Sequence, residues 1–155
     1  MEDKVLIKFV KTHEDAKLPE KAHNDDNCYD LFAVEDTVVY GSTASPTGEV
    51  KIGSNVVPVG IKVGFISPGF GFVIKPKSGI GFKAGLQPHL GEIDTGYRGD
   101  CSVKMYNFSD KDYNYAKGDK VAQIKIEKNY NTTVEWADEV EVAERGEGGF
   151  GSSGK

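Results

Sequence analysis

The sequence predicts an all-β sandwich or barrel, on three observations. Apolar residues fall in short runs rich in β-branched side chains. Clusters of Gly, Pro, Asn, Asp and Ser separate those runs. No stretch sustains a 3.6-residue apolar period over three turns. The first expected strand is Val5–Val10, followed by Thr37–Tyr40, Asn55–Val57, Gly60–Phe65 and Gly71–Lys75. Cys101–Tyr106, Val121–Glu127 and Thr132–Trp136 complete the set. Gly41–Gly48 reads as a long hairpin connection, and at most a short helical turn follows Ser78. Neither a repeat nor a domain linker is visible, so residues 1–144 are expected to form one domain.

The last eleven residues, Arg145 to Lys155, include five glycines, and such a backbone has little conformational preference. Most Gly/Ser-rich termini are disordered tails. This one carries a guanidinium at Arg145 and an aromatic ring at Phe150. The first suits phosphate oxygens and the second suits the face of a nucleobase. A flexible arm carrying both can close over a bound nucleotide.

Glycine supplies 19 of the 155 residues, above the usual share of ~7%, which indicates many turns and close backbone approaches. The formal net charge of -5 disfavours nonspecific binding to a nucleic-acid polymer. An acidic protein that binds a polyanion must gather its few cations in one place. Cys28 and Cys101 have no metal-ligand spacing and read as reduced packing residues. Met1–Val5 lacks the basic region and apolar run of a signal peptide, and no segment approaches the ~20 apolar residues of a membrane helix. A soluble, cytoplasmic protein is expected.

Four internal segments carry groups suited to chemistry. Asn24–Ala33 holds three carboxylates within six residues, Asp25, Asp26 and Asp30. They can hold a divalent cation directly or through water, or form a polar turn leading into a strand. In Lys75–Gly81, two lysines, a hydroxyl and two glycines surround a Pro-fixed turn, which suits phosphate oxygens or an ordinary basic turn equally. In Gly91–Asp100, Asp94 beside Ile93 can orient and deprotonate a water, with Tyr97 packed on a sugar; alternatively Asp94 forms a turn and Tyr97 belongs to the core. In Lys117–Ile126, alternation puts Val121, Gln123 and Lys125 on one face. The Gln123 amide there is either satisfied internally or lines a ligand pocket.

In order and spacing these segments resemble the five motifs of the trimeric dUTP diphosphatases (dUTPases), from about Ala22 to the C-terminus. Tyr29-Asp30-Leu31 is similar to the first motif and Pro76-Lys77-Ser78-Gly79 to the second. Ile93-Asp94-Thr95-Gly96-Tyr97-Arg98-Gly99 resembles the third and Gly118-Asp119-Lys120-Val121-Ala122-Gln123 the fourth. Arg145-Gly146-Glu147-Gly148-Gly149-Phe150-Gly151-Ser152 resembles the fifth. A dCTP deaminase shares the architecture, but the Asp94-x-x-Tyr97 pair and the complete fifth motif argue against it.

The resemblance implies a jelly-roll-like β-barrel or sandwich with a flexible Gly-rich C-terminal arm. It implies a homotrimer with active sites shared between subunits, so that one subunit's arm covers a site built by the other two. The implied reaction is hydrolysis of dUTP to dUMP and pyrophosphate, which limits uracil entry into DNA and supplies dUMP for thymidylate synthesis. By position, Asp94 is the general base and Tyr97 lies under the deoxyribose. Lys77, Ser78, Gly79 and Gln123 face the phosphates, and Gly91 and Ile93 belong to the substrate pocket. Arg145 pairs with the γ-phosphate, Phe150 stacks on uracil, and Gly151 and Ser152 close over the terminal phosphates. The implied cofactor is Mg2+, held by the triphosphate and waters, with Asp30 behind it through water. Some family members also bind regulatory proteins, for which Gly41–Asn55 is an unassigned surface.

Two features depart from the family pattern. Lys77 stands where the second motif usually has Arg, which replaces a planar fork with a point charge. Gln87-Pro88-His89-Leu90 occupies the uracil-reading hairpin in place of Asn- or Gly-containing forms, and Pro88 removes a backbone donor.

Overall fold

The computed structural model describes residues 4–151 and Gly154. Among them are thirteen strands and one helix. The first strands are β1 (Ile7–Lys11), β2 (Tyr29–Phe32), β3 (Thr37–Val39), β4 (Thr43–Ala44) and β5 (Val50–Lys51). β6 (Gly53–Val57), β7 (Ile61–Ile66) and β8 (Phe70–Lys75) lead to the helix α1 (Ser78–Ala84). β9 (Leu86–Pro88), β10 (Glu92–Ile93), β11 (Val103–Asn107), β12 (Tyr113–Tyr115) and β13 (Lys120–Lys128) follow.

All pairings are antiparallel. One sheet runs β10-β8-β13-β2 and another β6-β11-β9, with three two-stranded ribbons, β1-β7, β12-β3 and β4-β5. The sheets do not join into one closed barrel, and the arrangement is a β-sandwich. One core cluster draws Leu31 from β2, Val57 from β6, Val63 from β7, Phe72 from β8, Met105 from β11 and Ile124 from β13. Phe9 meets Phe72 edge-on at 6.2 Å between ring centres, which ties the β1-β7 ribbon to the larger sheet.

Two irregularities decide which side chains point inward. Phe9 opposes Val63 while Lys8 opposes Phe65, so Gly64 has no partner and the alternation changes phase. Ile66 is therefore buried and Phe65 exposed. In β13 Lys120 opposes Phe32 and Ala122 opposes Leu31, which leaves Val121 in a bulge. Val121 is buried whereas Lys125 is exposed, so these two do not share the face that simple alternation assigned them.

Most expected strands are present within a residue or two of their expected ends. Thr132–Trp136 is the exception: it forms no strand, and Val134 and Trp136 are almost fully exposed. Its apolar alternation is strand-like, but no ladder partner meets it among the described residues. The Gly41–Gly48 connection contains β4 and returns through β5 as a small hairpin. The turn after Ser78 extends to the seven residues of α1. Among the described residues no helix is long and apolar enough to cross a membrane.

Phe72 is essentially fully buried at the contact between ribbon and sheet. Phe72→Ala is expected to cost about 3–5 kcal/mol of stability, read as a lower midpoint in urea denaturation.

Candidate active site

The four-stranded sheet sets three polar residues in one row. Gln123 of β13 lies opposite Asp30 of β2 on one side and Lys75 of β8 on the other. Directly opposed residues share a sheet face, so these side chains are neighbours. β8 stops at Pro76, and Lys77 leads into α1. Gln123 Nε2 donates to Pro76 O at 2.8 Å, fixing the turn that presents Lys77, Ser78 and Gly79.

Asp30 is 4% exposed, and both of its oxygens are engaged. Lys77 Nζ donates to Oδ1 at 2.5 Å and Lys120 Nζ lies 2.9 Å from Oδ2. Burial pushes this carboxyl up, but the two ammonium groups outweigh it and hold the group below its ordinary range. The hydrogen bond to Asp30 raises Lys120 in turn. One carboxylate between two ammonium groups leaves one net positive charge here, in a protein that is acidic overall. Lys120 was given no role in the sequence, because no spacing rule links positions 30, 77 and 120.

Asp94 lies beyond the far end of the same sheet. β10 pairs Ile93 with Phe72 and Glu92 with Val73, which brings the turn after Ile93 beside Gly71. A Cβ on Gly71 would sit 2.6 Å from Ile93 O, so only glycine permits this approach. The Asp94 side chain is exposed and, among the described residues, has no hydrogen-bond or ion-pair partner. Tyr97 N donates to Asp94 O at 3.0 Å, closing a tight turn. The Tyr97 hydroxyl donates to Asp100 O at 2.8 Å, which folds the ring over Gly99. A Cβ at Gly99 would collide with that ring. Arg98 Nη1 donates to Thr95 O and Tyr97 O at 2.8 and 2.9 Å and clasps the loop from outside.

At the end of β9, Pro88 is buried opposite Met105, at a sheet edge where a missing N–H costs nothing. Gly91 O accepts from Ile74 N at 3.0 Å. His89 Nδ1 lies 3.1 Å from the Tyr106 hydroxyl, and His89 N donates to Lys104 O at 2.8 Å. The hairpin is therefore anchored on both sides.

The chain does not gather all the expected groups at one point. Asp94 sits beside Gly71, while Lys77 and Ser78 follow Lys75, four positions further along β8. At a rise of ~3.3 Å per residue the two halves are roughly 13 Å apart along the strand. Arg145 and Phe150 are both exposed, and the hydrogen bonds of Arg145 are local, with Nε donating to Gly148 O at 2.7 Å. Gly151 is exposed, and Ser152 lies outside the described residues. Among the described residues no group of three or more His, Cys, Asp and Glu is arranged to hold a metal ion. A groove of about 570 Å³ lined by Ile7, Phe9, Leu18, Tyr29 and Ile124 contains none of the expected site residues. A smaller one, about 370 Å³, opens beside Lys77 and Ser78 between Phe82 and Phe108.

The sequence profile of the dUTPase family matches residues 14–154. The chain is 36% identical over 151 residues to the deoxyuridine 5'-triphosphate nucleotidohydrolase of Kluyveromyces lactis, covering 96% of this chain and 94% of that protein. In structure it resembles a Staphylococcus bacteriophage 80alpha dUTPase solved with dUpNHpp, with a TM-score of 0.81 and 24% identity over 97% of this chain and 99% of the other. It also resembles the dUTPase of phage phi11, solved with a structural Mg(II) ion, with a TM-score of 0.72 and 21% identity over 88% of this chain and 99% of the other. The chain belongs to the dUTPase family.

The Asp30 cluster makes stability pH-dependent. The carboxyl is lowered in the fold, so its contribution is complete above the ordinary value of 3.8 and is lost as the pH falls through the folded value. Lys120 is raised, so its share is complete below 10.5 and is lost at higher pH. Asp30→Asn is expected to flatten the acid limb of a stability–pH curve measured by chemical denaturation. An unchanged limb would mean that the two ammonium groups do not hold the carboxylate ionised.

Proposed function

We propose that this protein is a dUTP diphosphatase, which attacks the α-phosphorus of dUTP with water and releases dUMP and pyrophosphate. The observation that carries this reading is the bare Asp94 carboxylate. It sits at the end of β10, on a backbone fixed by Gly71, with Tyr97 one turn away. A carboxylate with no cationic partner among the described residues leaves its oxygens open to a water proton. In this role Asp94 takes a proton from the attacking water as the new O–P bond forms. The bond from the α-phosphorus to the bridging oxygen breaks, and the electron pair leaves with pyrophosphate.

Tyr97 supplies a flat wall for the deoxyribose, and Gly91 and Ile93 line the nucleoside side. Lys77, Ser78, Gly79 and Gln123 meet the phosphate chain. Their turn is locally cationic, which resolves how a chain of net charge -5 receives a tetraanion. Arg145 and Phe150 complete the site from the arm, residues 145–155, with Gly151 and Ser152 behind them. When bound, Mg2+ supplies charge neutralisation on the phosphate oxygens. The residues present fit a metal carried by the triphosphate, since both Asp30 oxygens face ammonium groups and no cluster among the described residues offers ligands. The product dUMP feeds thymidylate synthesis, and removal of dUTP limits uracil in DNA.

We further propose that the sites are shared in a homotrimer. The separation of Asp94 from Ser78 along β8 supports this, because a neighbouring copy can set one chain's Asp94 against another's phosphate turn. The bare Val134, Trp136, Val140 and Val142 support it too, as apolar side chains left without cover inside one chain.

Pyrophosphate release with dUTP, dTTP, dCTP and UTP tests the reading, and rapid release from dUTP alone is expected. Asp94→Asn should lower kcat about 10²–10⁴-fold while a non-hydrolysable dUTP analogue still binds in calorimetry. Near-normal turnover in that variant would exclude Asp94 as the base. Deleting residues 145–155 should lower turnover far more than the melting temperature, because none of the described residues in this segment belongs to the core cluster.

A further inference from the structure

Among the described residues the Asp94 carboxylate has no side-chain partner, so its direction comes from the backbone that carries it. That backbone is held from three sides. Upstream, Ile93 pairs with Phe72 and packs its carbonyl against Gly71. Downstream, Tyr97 N and the Arg98 guanidinium close the turn. Immediately after Asp94, the Thr95 hydroxyl reaches across the sheet edge. Thr95 Oγ1 donates to Phe70 O at 2.6 Å and accepts from Asn129 Nδ2 at 3.2 Å. The donor and one acceptor site of the hydroxyl are therefore both in use.

Asn129 is tied on its other side as well. Its backbone N–H donates to Gly69 O at 2.7 Å, in the turn that starts β8. It is the first residue after β13 and the root of the C-terminal segment. One asparagine thus joins the end of β13, the start of β8 and the turn that carries Asp94.

We propose that Thr95 and Asn129 are positioning residues for catalysis, acting through the Asp94 backbone to hold the carboxylate toward the attacking water. The inference rests on the reading of Asp94 as general base. The relay Asn129 to Thr95 to Phe70 O replaces the direct partner that a catalytic carboxylate commonly has. It fixes the group without donating to it, so both carboxylate oxygens stay open to the water. A partner on the oxygens would orient Asp94 equally well but would also stabilise its charge and weaken it as a base. The relay also connects the end of β13 to the turn that carries Asp94.

The test uses the full chain and Thr95→Val, which keeps the side-chain shape and removes the hydroxyl. Loss of alignment at the reacting atoms is expected to lower kcat by about tenfold to a hundredfold. KM and the affinity for a non-hydrolysable dUTP analogue should stay within about twofold, the pattern of an interaction that matters only for the chemical step. Thr95→Ser should restore most of the rate. Asn129→Ala should show a smaller loss of the same kind and serves if the valine variant does not fold. In an Asp94→Asn background, Thr95→Val should add no further loss, since the two act as one unit. A kcat within twofold of the parent for both Thr95→Val and Asn129→Ala would overturn the proposal. So would an equal fall in analogue affinity, or a full additional loss in the Asp94→Asn background. Failure of the underlying reading is separately visible: Asp94→Asn alone would then retain turnover.

Discussion

The site hangs on one strand. β13 pairs with β2 on one edge and β8 on the other, and Val121, Ala122 and Ile124 bury it in the core. Its first residue, Lys120, reaches the Asp30 carboxylate, and its midpoint, Gln123, holds the Pro76 carbonyl. Just past its end, Asn129 reaches Thr95 beside Asp94. A change in the register of β13 would move all three contacts at once. Register is strongly specified where one face is buried, because a one-residue slip exposes the whole apolar set. The same burial that stabilises the strand therefore aligns the polar groups along it.

The two ends of this arrangement differ in their electrostatics. At Asp30, Lys77 and Lys120 the charges are paired, partly buried and locked by short contacts, with one positive charge in excess. At Asp94 the carboxylate is bare, and order comes from the backbone. A group that must bind an anion gains from fixed cations, whereas a group that must take up a proton loses basicity when cations surround it. Cys101 illustrates a third case. Burial, with Asp100 adding to it, pushes its thiol up to about 11, so it remains a protonated packing residue.

The fold class and most strands were legible because short β-branched runs between turn residues leave few alternatives. The segments around Ser78 and Asp94 stand out in the sequence because they set chemical groups beside glycines, and those around Asp30 and Gln123 because they set polar groups in apolar strand runs. The bulges at Gly64 and Val121 were not, since a skipped residue follows from cross-strand fit and leaves no pattern in either strand alone. The Asp30 cluster escaped for a related reason: its members come from three segments joined only by the sheet. Thr95 and Asn129 look like ordinary turn and strand-end residues, and only their contacts distinguish them. Thr132–Trp136 failed in the opposite direction, with a strand pattern and no strand.

That failure has a physical content. Alternating apolar residues are a pattern for pairing, yet Val134, Trp136, Val140 and Val142 stand in solvent within one chain. The chain likewise holds Asp94 and the turn of Lys77, Ser78 and Gly79 toward opposite ends of β8, roughly 13 Å apart along the strand. Each half is well formed, so the distance is not a defect of folding. In the proposed trimer both observations have one cause. A sequence selected for assembly carries pairing patterns whose partner is another copy, and it divides a site among chains that meet only on assembly. Patterns that the single chain leaves unsatisfied are then the places where the sequence describes the oligomer.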